Sequence, residues 1–280
     1  MNAVTPLPAR ANAARMGSTA TVAKHLQTLD QHVIEIMSDS GEGAQKCGQS
    51  FGSIAARTGN GVWTVEIIPA EIQPPARSVA GASGNRIRIG SHQITNGGDE
   101  ADIAVAFNEQ VLLGRVNAGE LKAGCIVLLE SMWAEHDDAK IAGQYAETRD
   151  RLVAEGYRVY EVPMETECRS LVPDPRKGKN MFVLGMLCNI YSLDVKRGRE
   201  QIALTFGKKD RKVIEVNQGL LDAGYLWAEQ NFDFKYRIPA VKNAEPQIVV
   251  NGNTALALGV LASGMDICAM YPITPATSVS

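Results

Sequence analysis

Residues 33–43 read VIEIMSDSGEG, and this stretch decides the predicted fold. The β-branched run at 33–37 predicts a strand, the small and polar residues after it predict a loop, and residues 44–57 have the composition of a helix. Gly59 suits the end of that helix, because glycine readily adopts the left-handed conformation of a C-cap. A strand that leads through a glycine-rich turn into a helix is typical of an α/β protein.

Strands and helices continue to alternate beyond this unit. Further strands are predicted at 62–68, 86–89, 103–107, 125–129 and 157–162, and further helices at 110–118, 140–155, 180–193 and 212–229. The runs at 103–107 and 125–129 are almost wholly apolar, which suits central strands covered on both faces. The run at 86–89 alternates basic and apolar residues, which favours an edge or half-exposed strand. The alternation as a whole predicts a Rossmann-like three-layer α/β fold.

The last part of the chain predicts the first β-α-β unit of a second α/β domain. A short β-branched run at 248–250 leads into a helical segment, and a second apolar run at 265–270 ends in the loop Tyr271-Pro272-Ile273-Thr274-Pro275. One such unit cannot bury both faces of its strands. We therefore expect either a partner that completes the sheet or a natural chain that continues past Ser280.

These patterns predict four regions. We expect a flexible N-terminal tail at 1–30, a first domain at 31–232, a linker at 233–246 and the incomplete start of a second domain at 247–280. An organellar transit peptide is the alternative for the tail, which is rich in Ala, Thr and Arg and has no acidic residue before Asp30. The linker has mixed charge and two prolines.

Composition excludes several classes of function. The formal net charge of −3, with acidic and basic residues mixed along the 280-residue chain, argues against a nucleic-acid-binding protein. No apolar stretch approaches the roughly twenty residues that a membrane span needs. The five cysteines include no C-x-x-C pair, so we expect no metal or iron–sulfur site on this chain and reduced thiols in a cytoplasmic protein.

The turn at 40–43 is a candidate anion site. Ser40, Gly41 and Gly43 would let backbone N–H groups approach a phosphate of a nucleotide or of coenzyme A, at the N-terminus of the following helix. Glu42 has the wrong sign for this role unless it faces away. A tight turn of small residues with no ligand is the alternative. Cys47 could be a reactive thiolate beside Lys46, although a structural thiol is the preferred interpretation.

Two other polar side chains have open roles. Arg77 could bind a carboxylate or phosphate, or it could be a solvated loop arginine. Asn108 directly follows the strand at 103–107, so its amide could reach a ligand, but capping of the next helix is the preferred role.

Several segments, taken in order, resemble the 2-oxoacid:ferredoxin oxidoreductases. The resemblance runs from about Val33 to Ser280, and its landmarks are the Ser40-Gly41-Glu42-Gly43 turn, PAEI at 69–72, GDEADIAVAFN at 98–108, KNM at 179–181 and NGNTALALG…YPITP at 251–275. The order is that of a gamma domain followed by an alpha domain, as in the fused large subunit of enzymes best known for 2-oxoglutarate. The chain departs from the family after residue 72, where QPPAR replaces a Gly-Gly-His-like step, so ligand contacts of that loop are not carried over.

The resemblance implies a Rossmann-like gamma domain followed by the start of a thiamine-pyrimidine-binding domain. Such enzymes decarboxylate a 2-oxoacid oxidatively to an acyl-CoA and pass the electrons to ferredoxin, so the 2-oxoacid, here 2-oxoglutarate, and coenzyme A are the expected substrates. Thiamine diphosphate and Mg²⁺ are expected to be shared with or held by a partner beta subunit, which also carries the 4Fe–4S cluster. The protein would therefore be part of a hetero-oligomer.

The same resemblance assigns residues near the end of the chain. Thr274 would contact the thiamine and donate a hydrogen bond to the substrate, and Tyr271 and Pro272 would form the wall of that site. The pyrimidine-activating glutamate of the family lies beyond this motif, so this chain alone is not expected to be active. Two alternatives remain open: a non-catalytic nucleotide- or CoA-binding module, and an interaction subunit that docks against a partner.

Overall fold

The computed structural model describes residues 24–71, 73–241, 245–271 and 276–279. The chain forms two compact units, residues 1–241 and residues 242–280, and each is described by itself. Within the described residues, no helix is both long and apolar enough to cross a membrane.

A six-stranded mixed sheet forms the centre of the first unit. The strands of this unit are β1 His25–Thr28, β2 Gln31–Asp39, β3 Gly61–Ile67, β4 Ala82–Gly90, β5 Ala101–Ala106, β6 Leu121–Glu130, β7 Arg158–Val162 and β8 Phe234–Arg237. The order in the large sheet is β3-β4-β2-β5-β6-β7. Strands β2, β5, β6 and β7 run parallel, whereas β4 is antiparallel to both of its neighbours. The six strands predicted between residues 33 and 162 are all present.

Helices cover both faces of this sheet and make three layers, as predicted. The helices of the first unit are α1 Ala44–Thr58, α2 Glu109–Asn117, α3 Ala139–Ala154, α4 Met164–Cys168, α5 Lys179–Ile190, α6 Val195–Phe206 and α7 Arg211–Asn231. Helices α1, α5, α6 and α7 pack together on one face, and α2 and α3 lie on the other. Helix α6 was not predicted, because its polar residues and Gly198 obscure its narrow apolar side.

The central strands contribute side chains to two separate cores. In β5, Ile103 and Val105 belong to the core under α1 and α5, whereas Ala104 and Ala106 belong to the core under α2 and α3. Successive residues of the strand belong to different cores because their side chains point to opposite faces of the sheet. Burial on both faces explains why these strands read as continuous apolar runs.

The prediction that residues 86–89 form an edge or half-exposed strand is wrong. Strand β4 lies between β2 and β3, with a hydrogen-bonded neighbour on each side. The basic residue Arg86 is tolerated there because its Nε donates to the buried carboxylate of Glu35 at 2.6 Å. The same guanidinium also pairs with Glu120. Its charge is satisfied inside the protein rather than by water.

The predicted tail and linker boundaries also need correction. Residues His25–Thr28 form β1, which pairs in parallel with β8, Phe234–Arg237, so the tail does not extend to residue 30 and the first unit does not end at residue 232. This pairing joins segments more than two hundred residues apart, which no local pattern reveals. Residues 1–23 lie outside the described part of the chain.

Helices α5 and α7 cross at unusually close range. A Cβ atom on Gly185 would lie 1.9 Å from the carbonyl oxygen of Leu221, and one on Gly224 would lie 1.9 Å from that of Phe182. The absence of a side chain at Gly185 and at Gly224 therefore permits the two backbones to approach.

The second unit contains the predicted helix but not the predicted strands. Helix α8, Gly252–Ala262, begins at the N-cap Asn251, whose side chain accepts the backbone N–H of Thr254 at 2.7 Å. Residues 248–250 and 265–270 form no strand ladder with any described residue. A strand needs a neighbouring strand for its backbone hydrogen bonds, and the described residues of this unit offer none.

Candidate functional site

The parallel strands β2, β5 and β6 end side by side in the first unit. In a sheet of this kind, ligands bind outside the carboxyl ends of the strands. The segments that follow these strands are the turn at 40–43, the N-terminus of α2 and the short 3₁₀ helix Ser131–Glu135. Seven charged side chains lie in or contact these segments, and we call them the carboxyl-edge cluster: Asp39, Glu42, Arg77, Glu109, Glu130, Glu165 and Lys179.

The turn at 40–43 has the backbone conformation that its glycines suggest. Gly41 and Gly43 have φ values of 89° and 87°, a left-handed region that suits residues without a Cβ. Gly43 is the N-cap of α1 and, having no side chain, offers no capping acceptor to the first N–H groups of the helix. The space beside Gly41 is open, because a Cβ there would meet no atom within 4 Å. The geometry leaves backbone N–H groups at a helix N-terminus next to an accessible surface.

Glu42 is directed into the protein and not toward this surface. The Lys179 ammonium donates to Glu42 Oε1 at 2.9 Å, and the backbone N–H of Asp39 donates to Glu42 Oε2 at 3.3 Å. The carboxylate that has the wrong sign for an anion site is thus paired with a cation.

Lys179 lies at the centre of the cluster and is fully buried. Its Nζ atom lies 3.9 Å from Glu165 Oε2 and 5.1 Å from the centre of the Phe107 ring. Glu130, also fully buried, accepts the backbone N–H groups of Met132 at 3.1 Å and Glu165 at 3.0 Å. Burial raises the pKa of Glu130 to about 7, although Lys179 and these hydrogen bonds oppose the change. The cluster can therefore hold a proton near neutral pH.

Arg77 is neither a solvated loop residue nor free to bind a ligand. Its backbone N–H donates to both carboxylate oxygens of Asp39, at 3.0 and 2.9 Å. Its guanidinium group pairs with both oxygens of the buried Glu109 and lies 4.2 Å from the centre of the Trp133 ring. These contacts tie the loop after β3 to the carboxyl edge of the sheet, although Arg77 itself has a positive φ of 53°.

Asn108 and Cys47 have the structural roles that we preferred for them on sequence grounds. The Asn108 side chain accepts the backbone N–H groups of Gln110 and Val111 and so caps α2, as predicted. Burial raises the pKa of the Cys47 thiol well above its usual value. A thiol that resists ionisation is a poor nucleophile, so Cys47 is a core residue and not a reactive one.

The residues predicted to contact thiamine lie in the second unit. Tyr271 is exposed, with 76% of its surface accessible. Pro272 and Thr274 lie outside the described residues. The roles predicted for all three stay predictions. No group of three or more His, Cys, Asp or Glu side chains in the described segments could hold a metal ion.

The turn at 40–43 is recognisable in the sequence, whereas the ion pair between Lys179 and Glu42 is not. A lysine at the start of the mostly apolar segment NMFVLGMLCNI is the signal in the sequence that indicates a buried charge. A charge on a helix that is buried except at Asn180 needs a partner of opposite sign. The partner, Glu42, is 137 residues away in the chain and could not be identified from the sequence.

Comparisons with known proteins cover both parts of the chain. Residues 33–227 match the family model described as pyruvate ferredoxin/flavodoxin oxidoreductase. The 2-oxoglutarate oxidoreductase subunit KorA of Mycobacterium tuberculosis is 31% identical over 268 residues, which is 90% of this chain and 41% of that protein. The ketoisovalerate oxidoreductase subunit VorA of Methanothermobacter marburgensis is 29% identical over 151 residues, or 53% of this chain and 27% of its own length.

Two solved structures have folds similar to that of this chain. The 2-oxoglutarate:ferredoxin oxidoreductase of Magnetococcus marinus, solved with 2-oxoglutarate, coenzyme A and succinyl-CoA bound, matches 90% of this chain and 40% of its own, with a TM-score of 0.71 and 25% identity. The pyruvate oxidoreductase subunit PORC of Thermotoga maritima matches 71% of this chain and 97% of its own, with a TM-score of 0.50 and 17% identity, which shows a shared fold. The chain thus spans about 40% of the length of KorA and of the Magnetococcus chain.

Proposed function

The chain belongs to the pyruvate ferredoxin/flavodoxin oxidoreductase family, and from that premise we propose that it is the gamma domain and early alpha domain of a fused large subunit. One observation carries this proposal. The similarity to KorA covers 90% of the chain, which is more than the 241 residues of the first unit, so it includes part of the second unit. A separate gamma subunit would match the first unit alone.

The proposed reaction is the oxidative decarboxylation of a 2-oxoacid, with 2-oxoglutarate as the first candidate. The carboxyl group leaves as carbon dioxide, the acyl group is transferred to the thiol of coenzyme A, and both electrons pass to ferredoxin. A partner beta subunit would hold the iron–sulfur cluster and the diphosphate and Mg²⁺ of the cofactor. When bound, thiamine diphosphate supplies the carbanion chemistry of such a reaction. We place the complex in the cytoplasm, where the buried Cys47, Cys125, Cys168 and Cys188 would stay reduced.

We further propose that the turn at 40–43 contacts a phosphate of coenzyme A. The open space beside Gly41, the helix N-terminus at Gly43 and the pairing of Glu42 with Lys179 support this role. At the other predicted site, we propose that Thr274 hydrogen-bonds the 2-oxoacid and that Tyr271 and Pro272 line the thiamine. That part of the proposal rests on the resemblance of residues 271–275 to the family motif.

The test uses the complex purified anaerobically from its own cells through an affinity tag on this chain. We expect a second subunit with bound iron and sulfide to copurify, and we expect viologen reduction that requires both coenzyme A and a 2-oxoacid. A panel of 2-oxoglutarate, pyruvate and 2-oxoisovalerate then identifies the substrate. A complex that binds coenzyme A but reduces no acceptor with any 2-oxoacid would contradict the proposal and support a CoA-binding module.

A further inference from the structure

The position of Lys179 is costly in two ways. Its side chain is fully buried, and removal of an ammonium group from water is strongly unfavourable unless the charge is paired. It is also the first residue of α5, where the positive end of the helix dipole disfavours a cation. A lysine that only filled space here could be replaced by an apolar side chain of the same length. The contacts of its ammonium group therefore point to a specific role.

Those contacts run to the turn at 40–43. Lys179 Nζ donates to Glu42 Oε1 at 2.9 Å, and the other oxygen of Glu42 accepts the backbone N–H of Asp39, the last residue of β2. One carboxylate thus bridges the end of the strand, the turn and the start of α5. Its rotation is restricted from both sides.

The next residue of α5 supports the other half of the turn. A Cβ atom on Gly43 would lie 2.5 Å from Nδ2 of Asn180, so this side chain packs directly against the N-cap of α1. The start of α5 therefore contacts both Glu42 and Gly43. The conformation of the turn depends on a helix that begins 136 positions after Gly43 in the chain.

Charge gives Lys179 a second effect on the same turn. Two other acidic groups interact with this ammonium. Glu165 Oε2 lies 3.9 Å from it and accepts no hydrogen bond from a described residue, and the buried Glu130 interacts with it electrostatically. Without the ammonium, the Glu42 carboxylate would have no cation to face. It would then repel any anion that approaches the backbone N–H groups of the turn.

We propose that Lys179 is a positioning residue for the anionic ligand of this turn. Through Glu42 it holds the turn at 40–43 in the conformation that presents backbone N–H groups, and it neutralises the one carboxylate within the turn. The inference rests on the proposed function, in which the ligand is a phosphate of coenzyme A. Lys179 acts through the turn and has no direct contact with the substrate.

The test replaces the ammonium in the purified complex and measures the kinetics for each substrate. Lys179→Met keeps the length of the side chain and removes its charge. We expect the KM for coenzyme A to rise at least about tenfold, with kcat and the KM for the 2-oxoacid within about twofold of wild type, because a uniform binding contact affects KM alone. Lys177→Met is the matched control, because Lys177 is 82% exposed and should leave all three values unchanged.

A second variant separates the charge of Glu42 from the fold of the turn. Combining Lys179→Met with Glu42→Gln removes both charges, so the repulsion disappears and the KM for coenzyme A should recover in part. If the Lys179→Met complex does not assemble, Glu42→Gln alone replaces it as the test. We expect a smaller rise in the KM for coenzyme A, because the amide oxygen of Gln can still accept a hydrogen bond from Lys179.

The outcomes distinguish this inference from the proposed function. A wild-type complex that needs no coenzyme A would contradict the function itself. A wild type that needs coenzyme A, with an unchanged KM for it in Lys179→Met, would overturn the positioning role alone. A lower melting temperature with equal losses for every substrate would also overturn it, because that is the result of a structural defect.

Discussion

At the scale of single residues, one group of largely buried charged side chains around Glu35 is balanced in charge. Glu35 is fully buried on β2 and accepts from Arg86 Nε at 2.6 Å and from Arg115 at 3.0 and 2.7 Å. Both guanidinium groups also pair with Glu120. The group therefore contains two carboxylates and two guanidinium groups, and its charges balance. Loss of one member leaves an uncompensated charge in a region with little water.

Glu35→Gln should destabilise the protein strongly. We expect a loss of about 3 kcal/mol in the free energy of unfolding, the lower end of the range for a broken buried pair, because Glu120 still compensates part of the charge. Denaturant unfolding measures it. Glu200→Gln is the control: it removes an exposed pair with Arg57 and should cost less than about 1 kcal/mol. Equal losses of unfolding free energy in the two variants would show that the buried group stabilises the protein no more than an exposed ion pair does.

Glu130 should make stability depend on pH. Its pKa is raised from 4.5 to about 7 in the folded protein, so between these values the folded state binds more protons than the unfolded state. Stability contributed by this group is therefore complete at low pH and is lost as the pH rises from about 4.5 to 7. Glu130→Gln cannot ionise and should become progressively more stable relative to wild type over that range. Unfolding curves at pH 5 and pH 8 test this, and a difference that does not change with pH would contradict it.

At the scale of secondary-structure elements, the closest packing is between α5 and α7. Backbone meets backbone at Gly185 and Gly224, which is possible only because neither residue has a side chain. Helix α5 in turn carries Lys179 at its start. The position of α7 therefore affects the position of the residue that supports the turn at 40–43.

Gly224→Ala should force these helices apart. The added methyl group would lie 1.9 Å from a carbonyl oxygen, which cannot be relieved by a change of rotamer, and we expect a loss of about 2 kcal/mol or more. Gly219 lies on the same helix with open space around it, so Gly219→Ala should instead stabilise the protein by about 0.5–1 kcal/mol. Thermal unfolding of the two variants measures both effects. The same sign for both would show that the crossing is not tight.

Local signals predicted most of the elements, and non-local pairing explains the errors at β1, β4 and β8, whereas α6 was missed because of its own polar composition. The predicted helix at 44–57 agrees with α1 to within one residue, because the glycines at both ends and the apolar residues between them are neighbours in the sequence. Strand β4 was misread because the partner of Arg86 lies on another strand. At the candidate site, the turn glycines were identifiable for the same local reason, whereas the Lys179 pairing to Glu42 required the fold.

At the scale of the whole molecule, the two units differ in how they treat apolar side chains. The first unit buries most of its large apolar residues in two cores, although some, such as Leu204 at 68%, are exposed. The second exposes Ile248, Leu261 and Ile267, with 77%, 76% and 84% of their surfaces accessible in this chain. Exposed apolar surface of this extent usually marks a surface that another part of a protein covers.

Removal of residues 242–280 should leave the first unit folded. The first unit is compact by itself, so we expect its stability not to depend on residues 242–280. A chain of residues 1–241 should therefore melt within about 2 °C of the full chain. It should also bind less of an apolar dye such as ANS. Calorimetry and dye fluorescence test both expectations. A truncated chain that melts much earlier would show that the second unit stabilises the first.

The most direct test of the central claim is the product that the complex forms. The tagged complex, isolated under anaerobic conditions, is mixed with 2-oxoglutarate, coenzyme A and oxidised ferredoxin, and the acyl-CoA is identified by mass spectrometry. Succinyl-CoA that forms in step with ferredoxin reduction, and that disappears when coenzyme A is omitted, is the expected result. If neither 2-oxoglutarate nor another 2-oxoacid yields an acyl-CoA while the subunits remain assembled, the assignment as an oxidoreductase subunit is wrong.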